Sequence, residues 1–483
     1  MRYLTETDGY KFSMAEAGWP LREETFYYSQ RRGGPSILPF DAKKVVRDLL
    51  PGLGERDEEF LYKNEYGLGV GTRTALSYHQ MIRVSSIPRL SVFFPGEPVF
   101  SVTGPSALAS WLEPLVLQLH FRIQIATMAL TDPEAFRQEV AVRNTNHEVM
   151  IIKETLDVIG VKAPPMEARP QEYYERVLKT AKALVEAVQD PDRIFEVGLR
   201  SAPCMEQHLL ALEACKEAGI KRTSSVYGAQ KLGLKPVGTM GHEHVMRYGS
   251  DEAAFRAMRD RRPFRSSYLL DTFDTFLSGI PAAFRLMAER PDLQDSIRYD
   301  SGNKEAQYIY AVARAQAMGV SPVHILEDAL DLEQTIRFEK LRESLGSVPM
   351  AKQVYGYGGA LVAKPGFGTI TRDRVAAVYK LSQTGPKAVM KFGNEDRNGK
   401  VSIPGRPIVW RRIGGVDNNP PGIVAQVGET FEPNGYTLLT DGEWNSYGVE
   451  FLRAVRPTMA SVWSPETKAL RDRLEAEAKK QAA

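Results

Sequence analysis

Hydrophobic positions along the chain change their period twice. From residue 193 onward, short apolar runs occur at 194–199, 236–238, 268–270, 296–299, 323–326 and 351–355. Amphipathic stretches lie between most of them, for example 205–218, 275–288 and 304–318. The centres of the later runs recur at about 28–32 residues, the length of one βα unit, and repeated βα units build a parallel sheet. Six such units without a Gly-x-Gly-x-x-Gly fingerprint favour a closed barrel. A doubly wound open sheet is the alternative.

The flanks read differently. Residues 1–105 are rich in strand and turn signals, and 90–94 and 99–102 flank Pro95-Gly96-Glu97-Pro98 as a predicted hairpin. Residues 106–190 have mostly helical patterning. The apolar stretch 111–130 is broken by Glu113, His120 and Arg122, so it predicts a buried helix rather than a membrane span. A further helix is predicted from Pro170 to Val188. After about residue 375 strands and turns return, with a loop at 414–422, and Ser464-Pro465 predicts the capped start of a surface helix. The expected division is 1–145 (β-rich and helical), 146–375 (α/β barrel with the active site) and 376–483 (return to the β-rich domain plus a terminal helix).

Composition narrows the function classes. The 483 residues include 62 Lys+Arg and 60 Asp+Glu, a net charge of +2, with 43% hydrophobic and 25% charged residues. That is ordinary globular composition, without the basic excess of a nucleic-acid binder. Two cysteines, Cys204 and Cys215, are too few for a disulfide framework and read as core thiols. The first residues lack the apolar core of a signal peptide. These features lead to an expectation of a cytoplasmic protein that binds neither membrane nor nucleic acid.

In a βα barrel the chemistry sits where strands end. Behind the successive runs stand Arg200 and Ser201; Thr239 to His244; Asp271; Asp300-Ser301-Gly302; Glu327, Asp328 and Asp331; and Gly356-Tyr357-Gly358-Gly359. Taken singly, each has a plain structural explanation as a turn, a cap or a solvated helix start. Jointly they form one rim. A Gly-Gly turn exposes backbone N–H groups to an anion. Arg200, Arg298 and Arg372 offer bidentate phosphate contacts. Aspartates suit sugar hydroxyls or phosphate-borne Mg²⁺. His242-Glu243-His244 makes a poor chelate, and no Walker or Gly-x-Ser-x-Gly sequence occurs. The chemistry indicated is that of a phosphorylated sugar with magnesium.

The ordered set Asp8-Gly9-Tyr10-Lys11-Phe12-Ser13-Met14, Gly198-Leu199-Arg200, Thr223-Ser224-Ser225, Val237 to His242, Asp271-Thr272-Phe273-Asp274-Thr275, Ile297 to Gly302, Gly356 to Gly359 and Val378-Tyr379-Lys380-Leu381 resembles the nicotinate/nicotinamide phosphoribosyltransferases. The resemblance spans nearly the whole chain. It implies the type II phosphoribosyltransferase fold, an irregular α/β barrel plus a β-rich domain built from N- and C-terminal segments. It also implies a homodimer with shared active sites. The implied reaction joins nicotinate to phosphoribosyl pyrophosphate, giving nicotinate mononucleotide and pyrophosphate, with Mg²⁺ as cofactor and ATP as co-substrate.

By the same resemblance, Gly358, Gly359 and Arg372 hold the 5′-phosphate. Asp300 and Asp331 hold ribose hydroxyls and steady the cationic centre, and Asp271 binds Mg²⁺. Tyr10 of the other subunit stacks on the ring. Arg32 and Arg200 face the diphosphate and base region, and His242 is phosphorylated by ATP. Val197 departs from the family's usual ring-stacking Phe, and Ser201 stands where nicotinate enzymes often carry a second Arg. Gly-Gly-Ala and Thr371-Arg372-Asp373 lean toward nicotinamide enzymes. Ser224 stands where nicotinamide enzymes carry Asp, so its hydroxyl, with Arg298, is expected to serve a substrate carboxylate. A nicotinamide enzyme and an inactive nucleotide-binding homologue are the alternative readings.

Overall fold

The structure, a computed structural model, describes residues 2–238, 240–264, 266–346, 352–392, 402–413, 420–430, 433–443, 448–454 and 458–482. Thr239, Ala351 and the loop residues 414–419 lie outside the described residues.

The N-terminal part contributes helix α1 (Tyr10–Glu16), strands β1 (Glu23–Gln30), β2 (Arg83–Ser86) and β3 (Phe100–Pro105), and helix α2 (Glu113–Gln118). The predicted hairpin does not form. Val92–Phe93 pairs with Ser36–Ile37, whereas β3 pairs with β1 and β2 in another sheet. The connecting Glu97 is fixed instead. It accepts the Phe94 N–H at 2.9 Å and an Arg411 guanidinium N–H at 2.8 Å, so the turn is held by tertiary contacts. The apolar stretch 111–130 is buried as expected, but Leu112 and Leu119 divide it into short helices.

Next come the barrel strands β4 (Ile194–Glu196), β5 (Arg222–Thr223), β6 (Lys235–Pro236), β7 (Ser267–Leu269), β8 (Ser296–Tyr299), β9 (Val323–Leu326) and β10 (Lys352–Tyr357). All pair in parallel in the order β6-β5-β4-β10-β9-β8-β7. Six of these strands carry the apolar runs, and their residues are mostly buried or half-buried, with Lys235 and Lys352 exposed at the strand starts. The sheet curls but does not close, since β6 and β7 are not paired among the described residues. Strand β5 escaped the hydropathy pattern because Lys-Arg-Thr-Ser-Ser carries no apolar run. Helix α3 (His242–Tyr248) lies on the stretch of chain that connects β6 to β7.

The C-terminal segment returns through β11 (Ala377–Thr384) and β12 (Lys387–Ala388), completing the sheet β12-β11-β1-β3-β2. Leu381 faces Phe26 across β11 and β1, and the Tyr379 ring stacks on Phe26 at 5.2 Å. A β-rich layer is thus shared by both ends of the chain. The terminal helix Pro465–Ala482 begins as predicted, with the Ser464 hydroxyl accepting the Thr467 N–H at 3.0 Å. No helix among the described residues is long and apolar enough to cross a membrane.

A buried ion network fastens this layer to the barrel. The Arg247 guanidinium on α3 donates to Glu24 on β1 at 2.9 Å and lies 3.4 Å from Glu243. Lys11 on α1 bridges Glu243 at 2.7 Å and Glu113 on α2 at 2.5 Å. Removing one partner strands a buried charge. Arg247→Met is therefore expected to destabilise the fold by about 3–5 kcal/mol, measured by denaturant unfolding.

Candidate active site

Two cavities open at the C-terminal ends of the barrel strands and share the wall formed by Val197, Arg200, Asp300 and Glu327. The inner one, 110 Å³, lies between the strand ends and the β-rich layer. The outer one, 370 Å³, reaches the Gly358-Gly359 turn. Strand ends bring these groups together because every strand of a parallel sheet points its C-terminus the same way.

At the junction stands an acid–histidine cluster. The His242 Nε2 lies 2.9 Å from Asp271 Oδ1 and 3.8 Å from Asp300 Oδ2. The other Asp271 oxygen accepts from Lys391 at 2.8 Å and from the Ser301 hydroxyl. Burial lowers the His242 pKa, Lys391 lowers it further, and Asp271 and Asp300 oppose them. Burial disfavours an Asp271 carboxylate, yet Lys391 and His242 hold its pKa well below the usual range. One ligand atom from each of His242, Asp271 and Asp300 lies within 4.8 Å of the others, a spacing that suits a divalent cation. The oxygen donors for Mg²⁺ would be Asp271 and Asp300, with Lys391 competing for the former. Lys391 carried no sequence signal, since only the fold brings it to Asp271.

The inner cavity is aromatic and charged. Tyr10 lines it and donates its hydroxyl to Glu113 at 2.8 Å, with Arg200 5.8 Å from the ring centroid. This Tyr10 belongs to the same chain as the cavity, where the resemblance implied a ring from a second subunit. Gly238 makes the approach possible. Its φ is +128° and a Cβ there would meet the Tyr10 nitrogen at 2.9 Å. Val197 lines the cavity without an aromatic ring, but Phe195, two residues earlier and on the same side of the chain, lines it too. Arg200 lies 3.6 Å from Asp8 and 3.7 Å from Glu113. Arg298 donates to the Met240 carbonyl at 2.9 Å and lies 3.7 Å from Glu327.

Ser224 lines the same cavity but donates its hydroxyl to Asp8 at 2.7 Å. Its proton is directed at Asp8, where the resemblance led to an expectation of a substrate carboxylate. A carboxylate expected to be absent from this corner is supplied by the N-terminal segment. Burial raises the Asp8 pKa, opposed by Arg200 and Ser224.

In the outer cavity Gly358, Gly359 and Arg372 meet, together with Lys364 and Asp328. Two expected residues are elsewhere. Asp331 does not line either cavity. It caps the helix Leu332–Ser344 through the Gln334 N–H at 3.1 Å and pairs with Lys364 at 3.3 Å. Its neighbours Asp328 and Ala329, both with φ above +50°, carry the loop along the cavity wall instead. Arg32 is exposed and lines neither cavity, since the bend after β1 points it outward.

No protein-family model matches the chain. A nicotinate phosphoribosyltransferase of Bacillus subtilis is 26% identical over 269 residues, which is 53% of this chain and 52% of that protein. One of Methanosarcina acetivorans is 30% identical over 187 residues, 35% of this chain and 43% of that protein. The chain thus matches about half the length of these curated relatives, or less. Crystal structures of nicotinate phosphoribosyltransferases from Porphyromonas gingivalis and Vibrio cholerae cover 83% of this chain, and 96% and 90% of theirs. Their TM-scores are 0.59 and 0.57, at 20% and 16% identity. The chain therefore has the fold expected from its motifs, a curled parallel half-barrel of the type II phosphoribosyltransferase kind.

The cluster has a direct electrostatic test. Lys391→Met removes a cation that lowers the His242 pKa, so that pKa is expected to rise. Titration of the imidazole C–H resonances by NMR measures it. Asp331→Ala is expected to lose only a helix cap, about 0.5–2 kcal/mol of stability, seen as a lower Tm.

Proposed function

We propose that the chain transfers the phosphoribosyl group of phosphoribosyl pyrophosphate to nicotinate, forming nicotinate mononucleotide and pyrophosphate. One observation carries this reading. Asp300 stands on the wall common to an aromatic inner cavity and an outer cavity lined by Gly358-Gly359 and Arg372. A ring in the first and a 5′-phosphate in the second would place the ribose beside this carboxylate. The naming of the sequence relatives and of the structural neighbours supports the same chemistry.

In the reaction the ring nitrogen forms a bond to C1′ as the C1′–O bond to the diphosphate breaks. Positive charge develops on the ribose and negative charge on the leaving group. The Asp300 pKa is lowered: His242, Arg298 and Lys391 outweigh burial and the repulsion from Asp271, so the carboxylate is charged at neutral pH. A fixed carboxylate beside a developing cation is preorganised stabilisation. Mg²⁺ on the diphosphate, held by Asp271 and Asp300, would offset the charge of the leaving group. Arg200, Arg298 and Lys391 add cations at that junction.

ATP coupling belongs to this reading through His242. With Nε2–H donated to Asp271, Nδ1 carries the lone pair. Transfer of the ATP γ-phosphoryl group to the imidazole, with ADP leaving, then biases the equilibrium, and hydrolysis resets it. The homodimer and the cytoplasmic setting implied by the resemblance are further parts of the proposal. A nicotinamide substrate is the second reading, favoured by Asp8, a buried acceptor beside Ser224.

The assay is mononucleotide formation from phosphoribosyl pyrophosphate, Mg²⁺ and either base, with and without ATP. Nicotinate is expected to be the better substrate, and a lower KM for nicotinamide would reverse the assignment. Asp300→Asn is expected to reduce kcat by roughly 10²–10³-fold while the protein stays folded. His242→Ala is expected to keep some synthesis and lose the coupled ATP hydrolysis. Mass spectrometry after ATP treatment should find the phosphoryl group on His242.

A further inference from the structure

One wall of the outer cavity is carried by a segment with little structure of its own. Ala363, Lys364, Gly368, Thr371, Arg372 and Asp373 all line that cavity. Between the short helices Gly359–Val362 and Arg372–Val375, residues 363–371 belong to no helix or strand. The Arg372 guanidinium bonds, among the described residues, to its neighbour Asp373 alone. Where Arg372 stands therefore depends on the backbone that carries it.

That backbone is held from behind by three side chains, none of which lines the cavity. Asn144 Oδ1 accepts the Phe367 N–H at 2.7 Å, and the Gln124 amide, on the helix His120–Thr131, donates to the Thr371 carbonyl at 2.9 Å. Between these two ends Glu139, on the helix Pro133–Val140, makes the most contacts. Its Oε1 accepts two successive backbone N–H groups, from Thr369 and from Ile370, the latter at 3.0 Å. Its Oε2 accepts the Thr369 hydroxyl at 3.1 Å.

The segment is shaped around this carboxylate. Gly368 has φ +79°, and a Cβ there would collide with Glu139 Oε1 and lie 2.8 Å from Arg143 Nη1. Glu139 is itself steadied from below. The buried Arg143 lies 3.8 Å from its Oε1 and is bound to Glu148 at 2.9 Å. The Ile370 side chain joins the apolar cluster of Phe121, Ile125 and Phe136. Hydrogen bonds from N–H groups to a carboxylate are of the strong, charge-assisted kind, so they fix this backbone closely.

We propose that Glu139 is a positioning residue for the phosphate-bearing substrate: it sets the 368–372 backbone, and through it Arg372, without touching the ligand. The proposal rests on the function assigned above and extends it to a side chain outside both cavities. Neither Glu139 nor any group bound to it lines the inner cavity, so its effect is confined to one of the two substrates.

The test compares wild type, Glu139→Ala and Glu139→Gln in steady-state turnover, each substrate varied at saturation of the other, and in calorimetric binding of ribose 5-phosphate. Glu139→Ala is expected to raise KM for phosphoribosyl pyrophosphate and Kd for ribose 5-phosphate by roughly 10–100-fold, while KM for nicotinate stays within about threefold. The amide oxygen introduced by Glu139→Gln can still accept both N–H groups, so that variant should recover most of the loss. Gln124→Leu frees the Thr371 end of the same segment and should repeat the Glu139→Ala pattern. Wild-type kinetics in both Glu139→Ala and Gln124→Leu, a parallel rise in the two KM values, or no recovery in Glu139→Gln overturns the proposal and leaves the phosphoribosyl transfer intact. Glu139-dependent binding of ribose 5-phosphate by a chain that forms no mononucleotide would uphold Glu139 and refute the transfer.

Discussion

Helix α3 sits where the two halves of the molecule meet, and its two faces do different work. His242, at its first position, points to Asp271 and Asp300 at the strand ends. Glu243 and Arg247, one helical turn apart, reach Lys11 and Glu24 in the β-rich layer. The same seven-residue helix therefore aims the histidine and binds the layer that closes the inner cavity. Buried ion pairs of this kind add little net stability, because desolvation offsets attraction. Their effect here is positional, since each charge has only one arrangement in which it is neutralised.

That constraint explains why the cavity wall contains so many charges. Glu113 illustrates it: burial alone would protonate it, yet Lys11 and Arg200 hold it ionised. Ionised, it accepts the Tyr10 hydroxyl and orients the ring. Asp8 likewise takes the Ser224 proton and faces Arg200, so the floor of the cavity is already hydrogen-bonded before any ligand arrives. A preorganised site of this type spends little of a ligand's binding energy on rearrangement.

The rim residues Arg200, His242, Asp271, Asp300, Gly358 and Gly359 were legible as a set because a parallel sheet places all its strand ends on one side. The departures from that set have separate physical causes. Asp331 has the chemistry of a rim residue, but a helix begins there and takes its carboxylate as a cap. Arg32 follows a strand whose final bend turns it to the surface. The hairpin around Pro95 looked local, while its turn residue Glu97 is held by Arg411, more than three hundred positions away. Lys391 and Asp8 carried no periodic signal of their own, and their roles exist only through contacts with distant segments.

Local pattern by itself determined the βα period, the buried character of the strands and the order of the polar groups behind them. Those features depend on near neighbours in the chain, where apolar spacing and turn chemistry act. Tertiary structure decided that β6 and β7 are not paired among the described residues, that α3 joins the barrel to the β-rich layer, and that the chain's own Tyr10 lines the inner cavity. It also decided which buried charges pair. Pairing energies of buried groups depend on what the fold brings within about 4 Å in a low-dielectric interior, a distance that sequence separation does not encode.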